Sequence, residues 1–272
     1  MKAFIELIRM KNCISAGIGG VIGYLLSCNF CFDYKAILIF LTIFFICGYG
    51  NVINDIYDIE IDKINKPYRP LPSGRVKIFE AKMLSFSFLI IGIVLSIFIN
   101  ILAFIIAVIN SSLLYLYAKT FKKIKIFGNI IVAYLTGSVF LFGAAAGKEV
   151  LVAIILFICS FLATWAREII KDFEDIKGDE LKGVVSLPIK YGKISLYFSG
   201  FLLILAIVFS FIPYILNIFN IYYLILISAC DFLFLISIVK LLRHQNAKEV
   251  SKEIKIIMNL VLLAFIISSL IR

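Results

Sequence analysis

Nine apolar runs of about 20 residues each leave this chain little choice of fold, because a helix of that length crosses the roughly 30 Å of a bilayer's hydrocarbon core. They lie near residues 12–30, 36–54, 80–98, 101–118, 127–146, 150–168, 194–213, 219–240 and 255–271. Hydrocarbon offers no partner to a backbone N–H or C=O, so each run must satisfy its own backbone as a helix. The 62% hydrophobic content stands well above the roughly 45–50% of soluble domains. The expected fold is an all-α membrane protein: nine transmembrane helices in a bundle around a central cavity, with residues 1–272 forming a single membrane domain. Residues 83–118 are almost continuously apolar, and Asn100 marks the turn between the third and fourth spans.

Charge orients the bundle. With the N-terminus cytoplasmic, nine spans put 24 of the 27 basic residues on the cytoplasmic side, leaving only Lys35, Lys148 and Arg272 outside. The positive-inside rule predicts this asymmetry. The net charge of +10 thus reflects topology and attraction to anionic lipid rather than nucleic acid. Lys11 and the lack of a small-x-small cleavage site make the first run an uncleaved span. Cys28 and Cys31 form a CxxC with no second ligand pair and are read as apolar packing. The sole histidine, His244, falls in the last cytoplasmic loop.

Against this background stands an acidic pattern written twice, Asp-x-x-Asp-x-x-x-Asp, as Asp55, Asp58, Asp62 and, 117 residues later, as Asp172, Asp175, Asp179. Positions i, i+3 and i+7 share a helix face, so each trio aims its carboxylates one way. Ionisable groups at membrane depth are costly and mark functional sites. The copies begin at the ends of the second and sixth spans, a weak internal repeat of two four-helix units that would turn both stripes toward one cavity. Ten of the 17 acidic residues lie in the two long cytoplasmic loops, alongside much of the basic charge. A single such helix end reads as a solvated face with salt bridges; two with matched spacing and a Pro-rich basic loop do not.

Asn54, Asp58 and Asp62 run i, i+4, i+8, an amide and two carboxylates on one face. Hard oxygen donors of this kind suit Mg²⁺, which keeps several waters and meets substrate phosphates. Lys66 and Arg69 follow on a loop stiffened by Pro67, Pro70 and Pro72, and guanidinium matches phosphate oxygens. In the second copy Glu168, Asp172, Asp175 and Asp179 form one stripe with Arg167 and Lys171 beside it. Six aspartates and a diphosphate need compensation, which two Mg²⁺ and the cations Lys66, Arg69, Lys122, Lys123, Arg167 and Lys171 would supply. Lys119 begins the basic segment that ends at Lys125.

The stretch Asn54-Asp55-x-x-Asp58-x-x-x-Asp62, followed by Lys66-Pro-x-Arg69-Pro-Leu-Pro-Ser-Gly, resembles the first signature of the UbiA superfamily of intramembrane prenyltransferases. Asp175-x-x-x-Asp179 resembles the second, and the likeness spans nearly the whole chain. The resemblance implies nine helices with the signatures at helices two and six. It also implies two Mg²⁺ held by Asn54, Asp58, Asp62, Asp175 and Asp179, and the repeated acidic pattern adds Asp55 and Asp172 to the expected metal ligands. Lys66, Arg69, Lys119, Lys122 and Lys123 would meet the diphosphate of an allylic donor. The implied reaction ionises the C–O bond of a prenyl diphosphate and gives the cation to an acceptor, with Asp58, Asp62, Asp175 and Asp179 as the catalytic carboxylates. Tyr57, Tyr68, Tyr115, Tyr117, Tyr134 and Trp165 offer π faces to a cation.

Within the superfamily, Arg167 to Asp179, Ser186-Leu-Pro-Ile and Lys122-Lys-x-x-x-x-Gly128-Asn129 look most like the archaeal ether-lipid branch. The expected acceptor is then the free hydroxyl of a prenylglyceryl phosphate, geranylgeranylglyceryl phosphate, whose phosphate Arg167 and Lys171 would meet. Val185 stands where quinone-pathway relatives commonly carry Lys, which weakens the aromatic-acceptor alternative. A cation-coupled transporter would place its carboxylates at midplane instead. The expected partners are the prenyl diphosphate donor, the prenylglyceryl phosphate acceptor and membrane lipid, with no nucleic acid and no obligatory protein partner. The expected location is the cell membrane, multi-pass, with the active site toward the cytoplasm.

Overall fold

The computed structural model describes residues 2–31, 33–176, 180, 183–244 and 246–271. Asp179 of the second acidic copy lies outside the described residues. The helices are α1 (Lys2–Leu7), α2 (Met10–Ser27), α3 (Tyr34–Tyr57), α4 (Ile59–Asn65), α5 (Ile78–Ile97), α6 (Ile101–Lys119), α7 (Lys125–Ala144) and α8 (Leu151–Glu174), then α9 (Leu187–Tyr191), α10 (Ile194–Ser210), α11 (Ile212–Ile215), α12 (Ile221–His244) and α13 (Ala247–Leu270). Among the described residues the only β pairing is one isolated parallel bridge, Ile124 to Val185.

Among the described residues eight helices are long and apolar enough to cross a membrane: α3, α5, α6, α7, α8, α10 running on through α11 to Ile215, α12 and α13. The protein is therefore a multi-pass membrane protein. Where the first span was expected lies α2, an 18-residue helix that is not among these eight, since Lys11, Asn12 and four glycines dilute its apolar content. Those glycines serve packing. A Cβ on Gly20 would collide with Ile43, and one on Gly143 would overlap the Gly20 carbonyl, so α2 lies backbone to backbone against the end of α7.

Local signals fix the breaks. Asn100 caps α6 by accepting from the Ala103 amide at 2.8 Å and donates to the Ala145 carbonyl at 2.7 Å, so the turn expected at this residue is present. Asp33 caps α3 through the Lys35 amide at 2.9 Å, as short polar side chains do at orphan helix N–H groups. Between α2 and α3, Cys28 and Cys31 are joined by a disulfide, where the sequence reading had apolar packing. Three residues apart, their Cα atoms sit 5.5 Å from one another, within disulfide reach.

The chain divides into two compact units. The first holds residues through Lys122 together with Val139–Val150. Its core gathers Tyr24, Ile39, Ile43, Ile46, Ala103, Ala107 and Phe142. A satellite cluster packs Leu7, Ile8, Val52, Leu71, Val76 and Ala81, seating α1 and the proline loop beside the end of α3. The second unit holds Lys123–Ser138 and Leu151–Arg272. There α8 packs against α10 and α13, and Phe219, Tyr223 and Phe265 form a ring cluster with centroids 4.9–6.0 Å apart.

Candidate active site

The first acidic copy straddles the junction of α3 and α4. The helical hydrogen-bond pattern continues through it, Asp58 N–H to the Asn54 carbonyl at 3.1 Å and Asp62 N–H to the Asp58 carbonyl at 2.8 Å. Asn54, Asp58 and Asp62 therefore keep the common face that their spacing requires. All three aspartates of this copy are buried, and each is met by a cation. The Lys122 ammonium bonds Asp58 and lies 3.3 Å from Asn54 Oδ1, while Asn54 Nδ2 donates to Asp58 at 3.2 Å. Arg69 donates to Asp62 at 2.5 Å and to Asp55 at 3.3 Å. Arg9 donates to Asp55 at 2.6 Å.

Arg69 reaches the acids because its loop is folded back on itself. Arg69 N–H bonds the Lys66 carbonyl at 3.0 Å, Val76 N–H bonds the Pro70 carbonyl at 3.1 Å, and Gly74 takes φ +73°, a conformation cheap only for glycine. Arg75 locks the loop to α1 by two bonds to Glu6 of 2.8 and 3.1 Å. Burial works against the Arg69 charge, but Asp55, Asp62 and Asp58 outweigh it and raise the guanidinium above its ordinary value. Lys66 is exposed. Lys119 is exposed and rests 5.5 Å from the Tyr115 ring centroid, whose hydroxyl lies 3.3 Å from that of Tyr57.

In the second unit, Asp172 is buried and accepts from Lys125 Nζ at 2.8 Å and Asn129 Nδ2 at 2.7 Å. The segment before α7 is held in register by backbone bonds: Lys125 N–H to the Val185 carbonyl at 2.9 Å and Val185 N–H to the Lys123 carbonyl at 3.3 Å. Lys123 and Asp175 are exposed. Glu168 takes up both cations expected to meet an acceptor phosphate, Arg167 at 3.1 Å and Lys171 at 2.7 Å, and Arg167 also donates to the Ser251 carbonyl at 3.0 Å. Rings continue the α8 face toward its start, Trp165 to Phe161 to Phe157 with centroids 5.7 and 6.0 Å apart.

The sequence reading expected carboxylates converging on metal. Among the described residues no three His, Cys, Asp or Glu side chains stand close enough to form a metal cage; the buried acids are paired with basic side chains instead. The donor set still fits a hard divalent cation: Asn54 Oδ1 and Asp58 already share one positive centre, the Lys122 ammonium, and every donor is oxygen. Three participants escaped the sequence reading. Arg9, at φ 53° between α1 and α2, was counted only as a topological charge. Lys125 and Asn129 carried a faint signal, a basic residue and an amide at i, i+4 on the first turns of a helix.

Residues 16–263 match the model of the UbiA prenyltransferase family. The digeranylgeranylglyceryl phosphate synthase of Methanocaldococcus jannaschii is 61% identical over 274 residues, covering 99% of this chain and 97% of that protein. The synthase of the same name from Methanococcus vannielii is 52% identical over all of this chain and 99% of its own length. A solved digeranylgeranylglyceryl phosphate synthase superposes with TM-score 0.92 at 61% identity, covering 100% of this chain and 99% of the other. A UbiA homolog from Archaeoglobus fulgidus, bound to GPP and Mg²⁺, shares the fold with TM-score 0.71 at 17% identity, covering 98% of this chain and 99% of that one.

Proposed function

The chain belongs to the UbiA prenyltransferase family, and from that membership we propose that it transfers a geranylgeranyl group from geranylgeranyl diphosphate to the free hydroxyl of geranylgeranylglyceryl phosphate. It is a membrane prenyltransferase, alike over its full length to digeranylgeranylglyceryl phosphate synthases. The observation that carries the reading is the first acidic helix end. Within a strongly apolar chain, Asn54, Asp58 and Asp62 lie interleaved with Lys122 and Arg69, an arrangement useful for holding a metal-bound diphosphate and redundant for a solvated face.

In this reading Asn54, Asp58 and Asp62, with Asp175 and Asp179, are the ligands of two Mg²⁺, and Lys66, Arg69, Lys119, Lys122 and Lys123 receive the oxygens of the diphosphate. Mg²⁺ supplies charge neutralisation on the departing diphosphate. The chain's own cations add to it as the allylic C–O bond opens, a preorganised electrostatic contribution. The apolar spans keep water from the carbocation, which water would convert to an alcohol. Arg167 and Lys171 would leave Glu168 for the acceptor's phosphate. We also read α2 as a ninth span with the N-terminus cytoplasmic, which puts the site on the cytoplasmic side and leaves the Cys28–Cys31 loop outside.

The test is incubation of the protein in lipid vesicles with the two geranylgeranyl substrates, with and without Mg²⁺, and products identified by mass. Digeranylgeranylglyceryl phosphate formed only with the divalent ion is the expected result. Prenylation of an aromatic acceptor in preference to the glyceryl phosphate would overturn the acceptor assignment.

A further inference from the structure

We infer that Asp55 and Asp172, the first aspartates of the two acidic copies, are positioning residues that aim cations at the diphosphate rather than metal ligands. Both are nearly inaccessible, 5% and 4% exposed. Asp55 Oδ1 carries two guanidiniums from different segments, Arg9 at 2.6 Å and Arg69 at 3.3 Å. On Asp172 each oxygen has its own donor, Lys125 on Oδ1 at 2.8 Å and Asn129 on Oδ2 at 2.7 Å. Asn129 is a neutral amide, with no charge that an incoming phosphate would draw away.

The later positions differ. Lys122, which meets Asp58, is a long side chain about one-third exposed and shared with Asn54. It can swing from the acids to an anion. Arg69 is divided between Asp62 and Asp55, so Asp55 retains it when Asp62 turns to a metal. The copies thus share a logic within their own units. The first aspartate pins a basic segment, the Lys66–Arg69 loop in one case and Lys123–Lys125 in the other, where the Val185 backbone bonds already hold the segment. Ionised partners make such bonds shorter and stronger than neutral ones, and groups that orient a site from behind typically matter about 10–100-fold.

This inference rests on the diphosphate reading above, so its test separates metal from anion. Mn²⁺ binding is measured by electron paramagnetic resonance, and binding of inorganic pyrophosphate at saturating Mg²⁺ by calorimetry, on the full chain in detergent. Asp55→Asn and Asp172→Asn keep an acceptor oxygen for the same donors. Expected are Mn²⁺ affinities within about threefold of the unmodified protein and pyrophosphate affinities weakened about tenfold or more, with KM for the donor rising in step. Asp58→Asn, as comparator, loses Mn²⁺. Loss of Mn²⁺ in Asp55→Asn or Asp172→Asn, or pyrophosphate binding left intact, would overturn the inference. Where a melting curve shows a variant misfolded, Arg9→Gln for Asp55 and Lys125→Gln for Asp172 probe the same pairs from the cation's side: metal affinity unchanged and pyrophosphate weakened is expected, and unchanged pyrophosphate binding overturns it. Unmodified protein that binds neither probe would instead defeat the diphosphate reading itself.

Discussion

At the scale of single residues, the acids of the first copy are defined by what neutralises them. Lys122 holds the oxygens of Asn54 and Asp58 that a divalent ion would use, so ammonium and metal compete there. Lys122→Met should tighten Mn²⁺ binding in the absence of substrate by up to about tenfold, the worth of one charge-assisted hydrogen bond. The same change should raise the donor KM. A titration followed by electron paramagnetic resonance checks the first, initial rates the second; weaker metal binding in the variant would refute the competition. Asp62→Asn removes a carboxylate while keeping shape, and turnover should fall about 10²-fold or more with thermal stability nearly unchanged. The spacing of Asn54, Asp58 and Asp62 was legible in the sequence because i, i+4, i+8 on a helix admits one arrangement. Arg9 was not, since its approach to Asp55 across 46 residues depends on how α1 and α2 break, which no local pattern announces.

At the scale of elements, caps and glycines do what the apolar runs cannot. Asn100 separates α5 from α6 and fastens the end of α7 through the Ala145 carbonyl. Asn100→Ala should therefore cost about 1–2 kcal/mol, the usual loss of a helix cap, read as a lowered melting midpoint in detergent. Gly143 lies where a Cβ would overlap the Gly20 carbonyl. Gly143→Leu should force α2 and α7 apart and destabilise the first unit by about 1–3 kcal/mol, the range for overpacking, with the melting midpoint again the readout. The span boundaries were readable because hydrocarbon demands helices of one length. The weak apolarity of α2 has its cause in helix packing: glycines that let backbones approach contribute little hydrophobicity.

At the scale of the molecule, the proposed function asks the basic residues and acidic clusters to be balanced by a diphosphate and its divalent ions. Removing divalent ions with a chelator should abolish transfer, and Mg²⁺ should restore it, as measured by product mass. Labelling of single cysteines introduced at Lys66 and Lys148 should find only the first reactive from the cytoplasmic side, which checks the proposed orientation. The sequence by itself determined that this chain lives in a membrane as helices, and that Asn54, Asp58 and Asp62 share a face. Both follow from short-range physics: the unmet hydrogen bonds of a backbone in lipid and the 3.6-residue turn. Only the tertiary structure decided which cation meets which acid, that Arg9 and Asn129 belong to the clusters, and that Glu168 takes up Arg167 and Lys171. Arg9 with Asp55, Lys122 with Asp58 and Asn129 with Asp172 join residues 43 to 64 positions apart, and even between near neighbours such as Glu168, Arg167 and Lys171 long flexible side chains choose partners only once the helices that carry them have packed.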